Sequence, residues 1–115
     1  MRAILTYHSL DDSGSVISIA PQVFRAQMAW LASSEVRVVP LQDLVFGEDL
    51  PAQAVALTFD DGFANVAEVA APVLAEHGFP ATLFVVTDHV GRTNAWGGLD
   101  APGIPTLPLL DWDAL

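Results

Sequence analysis

Residues 54–63 read AVALTFDDGF, an apolar run that ends in two consecutive aspartates and a glycine. Continuous apolar segments of this kind are typical of buried parallel strands, and in α/β folds reactive groups collect at the carboxyl ends of such strands. Asp60 and Asp61 stand at that end. Neighbouring strand residues point to opposite faces. Two adjacent carboxylates escape mutual repulsion only if the backbone turns and gives them different surroundings. Gly62 supplies such a turn. The stretch therefore predicts two acids with different roles.

The same stretch has a simpler interpretation, in which Asp61 and Gly62 form an ordinary turn and Asp60 caps the helix that follows. A plain turn does not require Thr58, Phe59 and two acids before its glycine. The functional interpretation is therefore favoured.

Alternating strand and helix patterns predict an α/β chain with a parallel sheet or barrel. The apolar runs predict strands near residues 3–7, 36–39, 54–59 and 81–86.

Two helices are predicted between the first three strands. The first begins near Pro21, which suits a first helical position, and buries Phe24, Met28 and Leu31 on one stripe. Residues 41–46 are predicted to form a short helical turn before the central apolar run.

A third helix is predicted over residues 65–77, with Gly78 as its stop and a kink or boundary at Pro72. After the last strand, residues 91–110 contain four glycines and three prolines with no clear period. They are predicted to form a long loop, and loops of this length are often functional or disordered.

Polar residues follow three of the predicted strands. His8, the Asp60–Asp61 pair, and Asp88 with His89 are expected at one rim of the sheet. His8 is a candidate for an active-site rim, with a hydrogen-bonded strand-end histidine as the alternative. Asp88 and His89 are interpreted as polar loop groups, and His77 as a structural residue near a helix end.

The composition limits the possible partners. The formal net charge is −10, from 14 acidic residues against four arginines and no lysine, so nucleic acids and anionic membrane surfaces are not expected to bind. The acidity itself is interpreted as a solvated surface. Cysteine is absent, so any metal must be held by histidine and carboxylate side chains.

No secretory signal and no run of about 18 apolar residues is visible in the sequence. If Met1 is the true start, the protein is expected to be cytoplasmic.

Three segments together resemble the polysaccharide deacetylases, the NodB-homology group of carbohydrate esterases: ILTYHSL at residues 4–10, TFDDG at 58–62, and HGFPATLFV at 77–85. The resemblance implies a distorted (β/α) barrel. Residues 1–115 would form a single partial catalytic domain, the amino-terminal portion of that barrel.

The resemblance also implies a reaction, the metal-dependent hydrolysis of N-acetyl groups on a polysaccharide or amino-sugar glycan. Asp61 would be a metal ligand and Asp60 the general base. A divalent ion that binds water and polarises the carbonyl addresses both the weak nucleophile and the poor electrophile of amide hydrolysis. Zinc is the expected metal, and Co²⁺, Ni²⁺ or Fe²⁺ would also suit Asp and His ligands.

The chain departs from the family pattern at the other metal ligands, two histidines spaced H-x-x-x-H. These normally follow the segment that here reads LLDWDAL, at residues 109–115, where the chain ends. The three histidines, at positions 8, 77 and 89, do not have that spacing. We therefore expect the chain alone to be inactive or nearly so, and to associate with itself or to need the missing carboxyl-terminal half.

Two other functional classes fit parts of the sequence. Paired acids at a strand end also hold Mg²⁺ in phosphoryl-transfer α/β proteins, although a glycine-rich phosphate loop and lysine are absent. A non-catalytic carbohydrate-binding remnant would use Trp96 and Trp112 to stack on sugar rings, whereas their alternative role is to anchor the loop.

Overall fold

The central element of the fold is one long strand, and every other strand of the main sheet pairs with it. The computed structural model describes residues 1–96 and 102–115. In chain order its elements are β1 (Arg2–Tyr7), β2 (Ser9–Leu10), β3 (Ser18–Ile19), α1 (Pro21–Ser33), β4 (Arg37–Val38), α2 (Leu41–Phe46), β5 (Ala54–Asp61), a π-helical turn (Val66–Ala70), α3 (Ala71–His77), β6 (Thr82–Val85) and a 3₁₀ turn (Thr87–His89).

Strand β5 pairs in parallel along both of its edges. On one edge β1 runs in register from Arg2 opposite Ala54 to Tyr7 opposite Phe59. On the other edge β4 pairs with the beginning of β5, and β6 pairs with its end. All carboxyl ends therefore point the same way, as the predicted parallel sheet requires.

The core lies between the sheet and the helices. Phe24, Met28 and Leu31 are buried, which confirms the predicted stripe of α1. An aromatic cluster ties this helix to the sheet, because the rings of Tyr7, Phe24 and Phe59 lie with their centroids 5.1 to 5.9 Å apart. Such contacts stabilise beyond the buried area alone.

The structure corrects the end of the central strand. The strand was predicted to stop at Phe59, but β5 continues through Asp60 and Asp61, because both pair with β6. The alternative in which Asp60 caps a helix is wrong, since Asp60 lies within the strand and the π-helical turn begins at Val66 with no side-chain cap.

The predicted helix over 65–77 divides into two parts at the boundary predicted near Pro72. A π-helical turn precedes α3, which carries Pro72 in its first turn. Proline cannot donate the backbone hydrogen bond of a continuous helix, and this accounts for the irregular turn before it. Gly78 ends α3 in the left-handed conformation, with φ 66°, as predicted.

The polar stretch after β1 contains structure that the apolar pattern does not indicate. Strands β2 and β3 pair in parallel, Ser9 opposite Ser18 and Leu10 opposite Ile19, and form a second small sheet. The segment is therefore fixed against the core, since Ser9 and Leu10 are buried.

Residues 97–101 of the predicted 91–110 loop lie outside the described residues. The part after them returns to the body of the protein, where Leu109 and Leu110 are buried. Within the described ranges, no helix is long and apolar enough to cross a membrane.

Candidate active site

The two aspartates lie at the carboxyl end of β5, where the backbone changes conformation abruptly. Asp61 has φ 76° and Gly62 has φ 78°, so two consecutive residues adopt the left-handed region. Among the described non-glycine residues, Asp61 is the one with positive φ. This conformation costs an L-residue about 1–2 kcal/mol. Strain of this kind is often found at functional sites, and here it turns the chain directly after Asp60.

His8, which follows β1, lies beside the first of these acids. Its Nε2 is 3.7 Å from Oδ2 of Asp60, and both side chains are partly exposed. The in-register pairing of β1 with β5 brings the two strand ends together. The structure therefore places His8, Asp60 and Asp61 at one rim.

Asp61 is held in an environment that opposes its charge. Burial raises the pKa of its carboxyl group above the ordinary value; His8 lowers it in part, and the neighbouring Asp60 raises it further. No residue in the described part of the chain donates a hydrogen bond to this carboxylate. A cation bound here would offset both the desolvation and the repulsion between the two acids.

Asn65 connects the region of the two aspartates with the segment after β1. Its Oδ1 accepts a hydrogen bond from the backbone N–H of Leu10 at 3.1 Å, and its Nδ2 donates to Oγ of Ser9 at 2.8 Å. Because Ser9 follows His8 directly, Asn65 fixes the chain on which His8 is carried. The sequence does not reveal this role of Asn65, since a partner 55 positions away leaves no local pattern.

The network continues from Ser9 to Asp11. The Asp11 carboxylate accepts hydrogen bonds from Oγ of Ser9, and at 2.8 Å each from the Ser13 N–H and Oγ of Ser18. Burial would raise the pKa of Asp11, but hydrogen bonds from Ser13, Ser9 and Ser18 outweigh it and hold the pKa below its ordinary value. The hydrogen bonds that the Asp11 carboxylate accepts thus stabilise the loop.

The end of the 91–110 segment fixes the backbone after the aspartates. The Leu110 N–H donates to the Gly62 carbonyl at 2.8 Å, and the Ala64 N–H donates to the Pro108 carbonyl at 3.0 Å. The backbone directly after the two aspartates is thus fixed by hydrogen bonds to a segment about 45 residues later in the chain.

The remaining two histidines take part in ring contacts. His89 packs edge-on against Trp96 with ring centroids 4.9 Å apart, and the neighbouring Asp88 is exposed. His77 stacks on Phe79 at 5.3 Å at the end of α3. The interpretation of Asp88 and His89 as polar loop groups, and of His77 as a structural residue, stays a prediction.

The two tryptophans of interest are both at the surface. Trp96 is 41% exposed, and its ring packs against the ring of His89. This contact helps to anchor the segment that carries Trp96. Trp112 is 65% exposed, and the idea that it anchors the loop by burial is wrong.

The donor set for a metal is incomplete within the described residues. They contain no cluster of three or more His, Cys, Asp or Glu side chains placed to hold an ion. Zinc-type catalytic sites use three protein ligands. Asp61 has the chemistry of one such ligand, but the described residues do not form a metal centre by themselves.

The family comparison agrees with this geometry. The family model described as "Polysaccharide deacetylase" matches residues 47–106, a range that contains both aspartates. Poly-beta-1,6-N-acetyl-D-glucosamine N-deacetylases of Staphylococcus epidermidis and Staphylococcus aureus are 31% identical over 80 residues. These matches cover 67% of this chain and 28% of each relative, so the chain spans less than a third of their length.

Solved structures of deacetylases have the same fold over the region that this chain covers. The structure of IcaB from Ammonifex degensii superposes with a TM-score of 0.79 at 28% identity, and covers 98% of this chain but 46% of its own. A de-N-acetylase from Aggregatibacter actinomycetemcomitans superposes with a TM-score of 0.71 at 25% identity, covering 98% of this chain and 48% of its own. The chain belongs to the polysaccharide deacetylase family and corresponds to part of the fold of its solved members.

Proposed function

We propose that a protein containing this chain hydrolyses N-acetyl groups on a glycan of N-acetylglucosamine, with a β-1,6-linked polymer as the first candidate substrate. Family membership supports the reaction class, and the names of the staphylococcal relatives supply the candidate polymer. The observation that carries the proposal is the placement of His8, Asp60 and Asp61 at one rim.

Asp60 is proposed as the general base. Its carboxylate is partly exposed at the rim, and no described residue donates a hydrogen bond to it, so it is free to accept a proton from water. Proton transfer to a positioned side chain typically contributes about 10²–10⁴-fold to a rate. His8, with its Nε2 3.7 Å from Oδ2 of Asp60, adds positive charge beside this carboxylate when it is protonated.

Asp61 is proposed to supply one ligand of a divalent metal, with zinc as the expected ion. The burial that raises the pKa of Asp61 and the repulsion from Asp60 both favour a bound cation. Such an ion, when bound, polarises an acyl carbonyl and makes water more acidic. At least one further ligand would come from outside the described residues, since these contain no group of three or more His, Cys, Asp or Glu side chains placed to hold an ion.

We also propose that the 115-residue chain has little or no activity alone. It contributes the base and one ligand, whereas the relatives extend well beyond the matched region. Removing a catalytic residue from such a site loses most of the rate, and an incomplete site is expected to behave similarly.

The test is an assay of acetate release from a β-1,6-linked N-acetylglucosamine oligomer with Zn²⁺ present. It compares the chain alone with the chain mixed with a polypeptide that carries the unmatched part of the Ammonifex degensii chain. We expect release only from the mixture, and a fall of at least about 10²-fold with Asp60→Asn. Asp113→Asn, at an exposed aspartate, is the matched control and is expected to leave the rate unchanged.

Three results would count against the proposal. Release that survives Asp60→Asn would remove the general base. Turnover of a phosphoester with Mg²⁺, without acetate release, would favour the phosphoryl-transfer class. Sugar binding that survives Asp60→Asn and Asp61→Asn, again without acetate release, would favour a carbohydrate-binding remnant.

A further inference from the structure

His8 and Asp60 face each other just beyond the ladder that joins β1 to β5. The register of these strands ends with Tyr7 opposite Phe59, and β1 itself ends at Tyr7. Asp60 remains part of β5, because it pairs with Phe84 of β6 on the other edge. Among the described residues no strand pairing fixes His8 beside Asp60, so the position of His8 depends on the contacts of its chain neighbours.

The two side chains do not hold each other. Nε2 of His8 lies 3.7 Å from Oδ2 of Asp60, and both side chains are more than a third exposed, at 36% and 39%. This distance is longer than that of a direct hydrogen bond between nitrogen and oxygen. The spacing of the two groups is therefore imposed by the backbone segments that carry them.

A pair of threonine hydroxyls joins the two strands two positions before His8 and Asp60. Thr6 is opposite Thr58 in the register, and their Oγ1 atoms share a hydrogen bond of 2.9 Å. Thr58 lies on the same face of β5 as Asp60, because alternate residues of a strand share a face. Since Thr58 is only 3% exposed, its hydroxyl needs a protein partner, and Thr6 supplies one. The hydroxyl pair thus ties β1 to β5 directly before the strand end.

Beyond His8 the chain is held by Asn65 and by β3 in place of β5. The Ser9 N–H donates to the Ile17 carbonyl at 3.1 Å. The next N–H, that of Leu10, donates to Oδ1 of Asn65 at 3.1 Å, and Nδ2 of Asn65 donates to Oγ of Ser9 at 2.8 Å. Because Asn65 follows the two aspartates closely in the chain, it links the segment after His8 to the segment after these acids.

We propose that Asn65 and Thr58 are positioning residues that together hold His8 beside Asp60. Asn65 acts through the backbone after His8, and Thr58 acts through the strand before it. The inference rests on the proposed function, in which Asp60 is the general base and His8 supplies charge beside it. A displacement of about 1 Å at a reacting group can lower a rate about 10²-fold. Loss of either contact is therefore expected to slow the reaction without weakening substrate binding.

The first test uses the 115-residue chain and follows the ring resonances of His8 by NMR at one fixed pH. In the unmodified chain Asp60→Asn should shift these resonances, because it removes a negative charge 3.7 Å from Nε2. When Asn65→Ala or Thr58→Val is already present, the same Asp60→Asn substitution should shift them much less. This readout reports the proximity of the two groups and needs no activity.

Two matched controls separate positioning from a general loss of stability. Ser34→Ala also removes two side-chain hydrogen bonds, since Oγ of Ser34 donates to the Leu31 carbonyl at 2.9 Å and accepts from the Val36 N–H at 3.1 Å. Thr82→Val changes the threonine that lies opposite Thr58 on the edge away from β1. Both controls should leave the response of His8 to Asp60→Asn unchanged.

The second test is kinetic and uses the acetate-release assay described above, with rates normalised to the folded fraction measured by circular dichroism. Asn65→Ala and Thr58→Val should each lower kcat about tenfold or more and leave KM unchanged. Thr58→Ser keeps the hydroxyl and should restore most of the rate. Ser34→Ala and Thr82→Val should leave kcat per folded molecule unchanged.

Failure of the reaction and failure of this inference give different results. If the unmodified protein releases no acetate, the proposed function fails, and the NMR measurement still decides whether Asn65 and Thr58 hold His8. An undiminished response of His8 to Asp60→Asn in the Asn65→Ala or Thr58→Val chain would overturn the role of that residue. An unchanged kcat per folded molecule, or a Thr58→Ser variant as slow as Thr58→Val, would also contradict the proposal.

Discussion

The serine loop (residues 9–18) and the aspartate turn (residues 60–62) lie at the same end of the protein, and each contains two aspartates. Asp11 in the loop accepts three hydrogen bonds, whereas Asp61 in the turn accepts none from the described residues. The pKa of Asp11 is accordingly lowered, and the pKa of Asp61 is raised. The difference separates an acid that holds the fold together from one that is available to a ligand.

Asn65 joins the two regions, and its removal is expected to have the largest effect. Asn65→Ala leaves the buried N–H of Leu10 without its acceptor and removes the donor to Ser9. We expect a loss of about 2–3 kcal/mol in the free energy of unfolding, measured by urea denaturation. Asn65→Asp keeps the acceptor and should lose less. Equal stability of Asn65→Ala and the unmodified chain would show that the two regions are not coupled.

Gly62→Ala tests the aspartate turn alone. The substitution is strained by a φ of 78°, and its Cβ would lie 3.1 Å from Cγ1 of Val85. We expect a loss of about 2 kcal/mol. Gly14→Ala in the serine loop is the matched control, because φ is 71° but no atom lies within 4 Å, and it should cost about 1 kcal/mol. Equal losses at the two glycines would mean that the Val85 contact is unimportant.

Asp11→Asn tests the hydrogen-bonded carboxylate. Since folding lowers the pKa of Asp11, the ionised form stabilises the protein above the ordinary pKa of 3.8, and this contribution is lost as the pH falls below that value. We expect Asp11→Asn to cost about 1 kcal/mol at pH 7. The difference between the two proteins should shrink in urea denaturation at pH 3, and a constant difference would contradict the assignment.

Asp61→Asn is expected to have the smallest effect, with the opposite sign. Since folding raises the pKa of Asp61, its contribution to stability is present below the ordinary pKa and is lost as the pH rises through the higher folded value. The variant should therefore be more stable at pH 7, by less than about 1 kcal/mol because the site is partly exposed. At pH 3 the two proteins should be equally stable. Destabilisation at pH 7 would show that the carboxylate has a structural partner.

Local patterns in the sequence determined much of the framework. The apolar runs predicted all four strands of the main sheet. Among the described strands of this sheet, burial on both faces is seen along β5 alone, because β5 has partners on both edges, whereas alternate residues of β1 are exposed. The spacing of Phe24, Met28 and Leu31 predicted the buried face of α1, and Gly78 predicted the end of α3, because each depends on residues within a few positions. The paired acids marked the strand end at which His8 and Asp60 meet.

Only the tertiary structure decided which contacts fix these elements and which of their side chains stay exposed. The left-handed conformation of Asp61, the link from Asn65 to Leu10 and the hold of Leu110 on Gly62 each depend on contacts between distant segments. The packing of α1 likewise decides that Phe24 is fully buried while Trp30 stays 61% exposed. A local sequence pattern sets which side chains favour burial, but strand pairing and long-range hydrogen bonds set which of them find a partner.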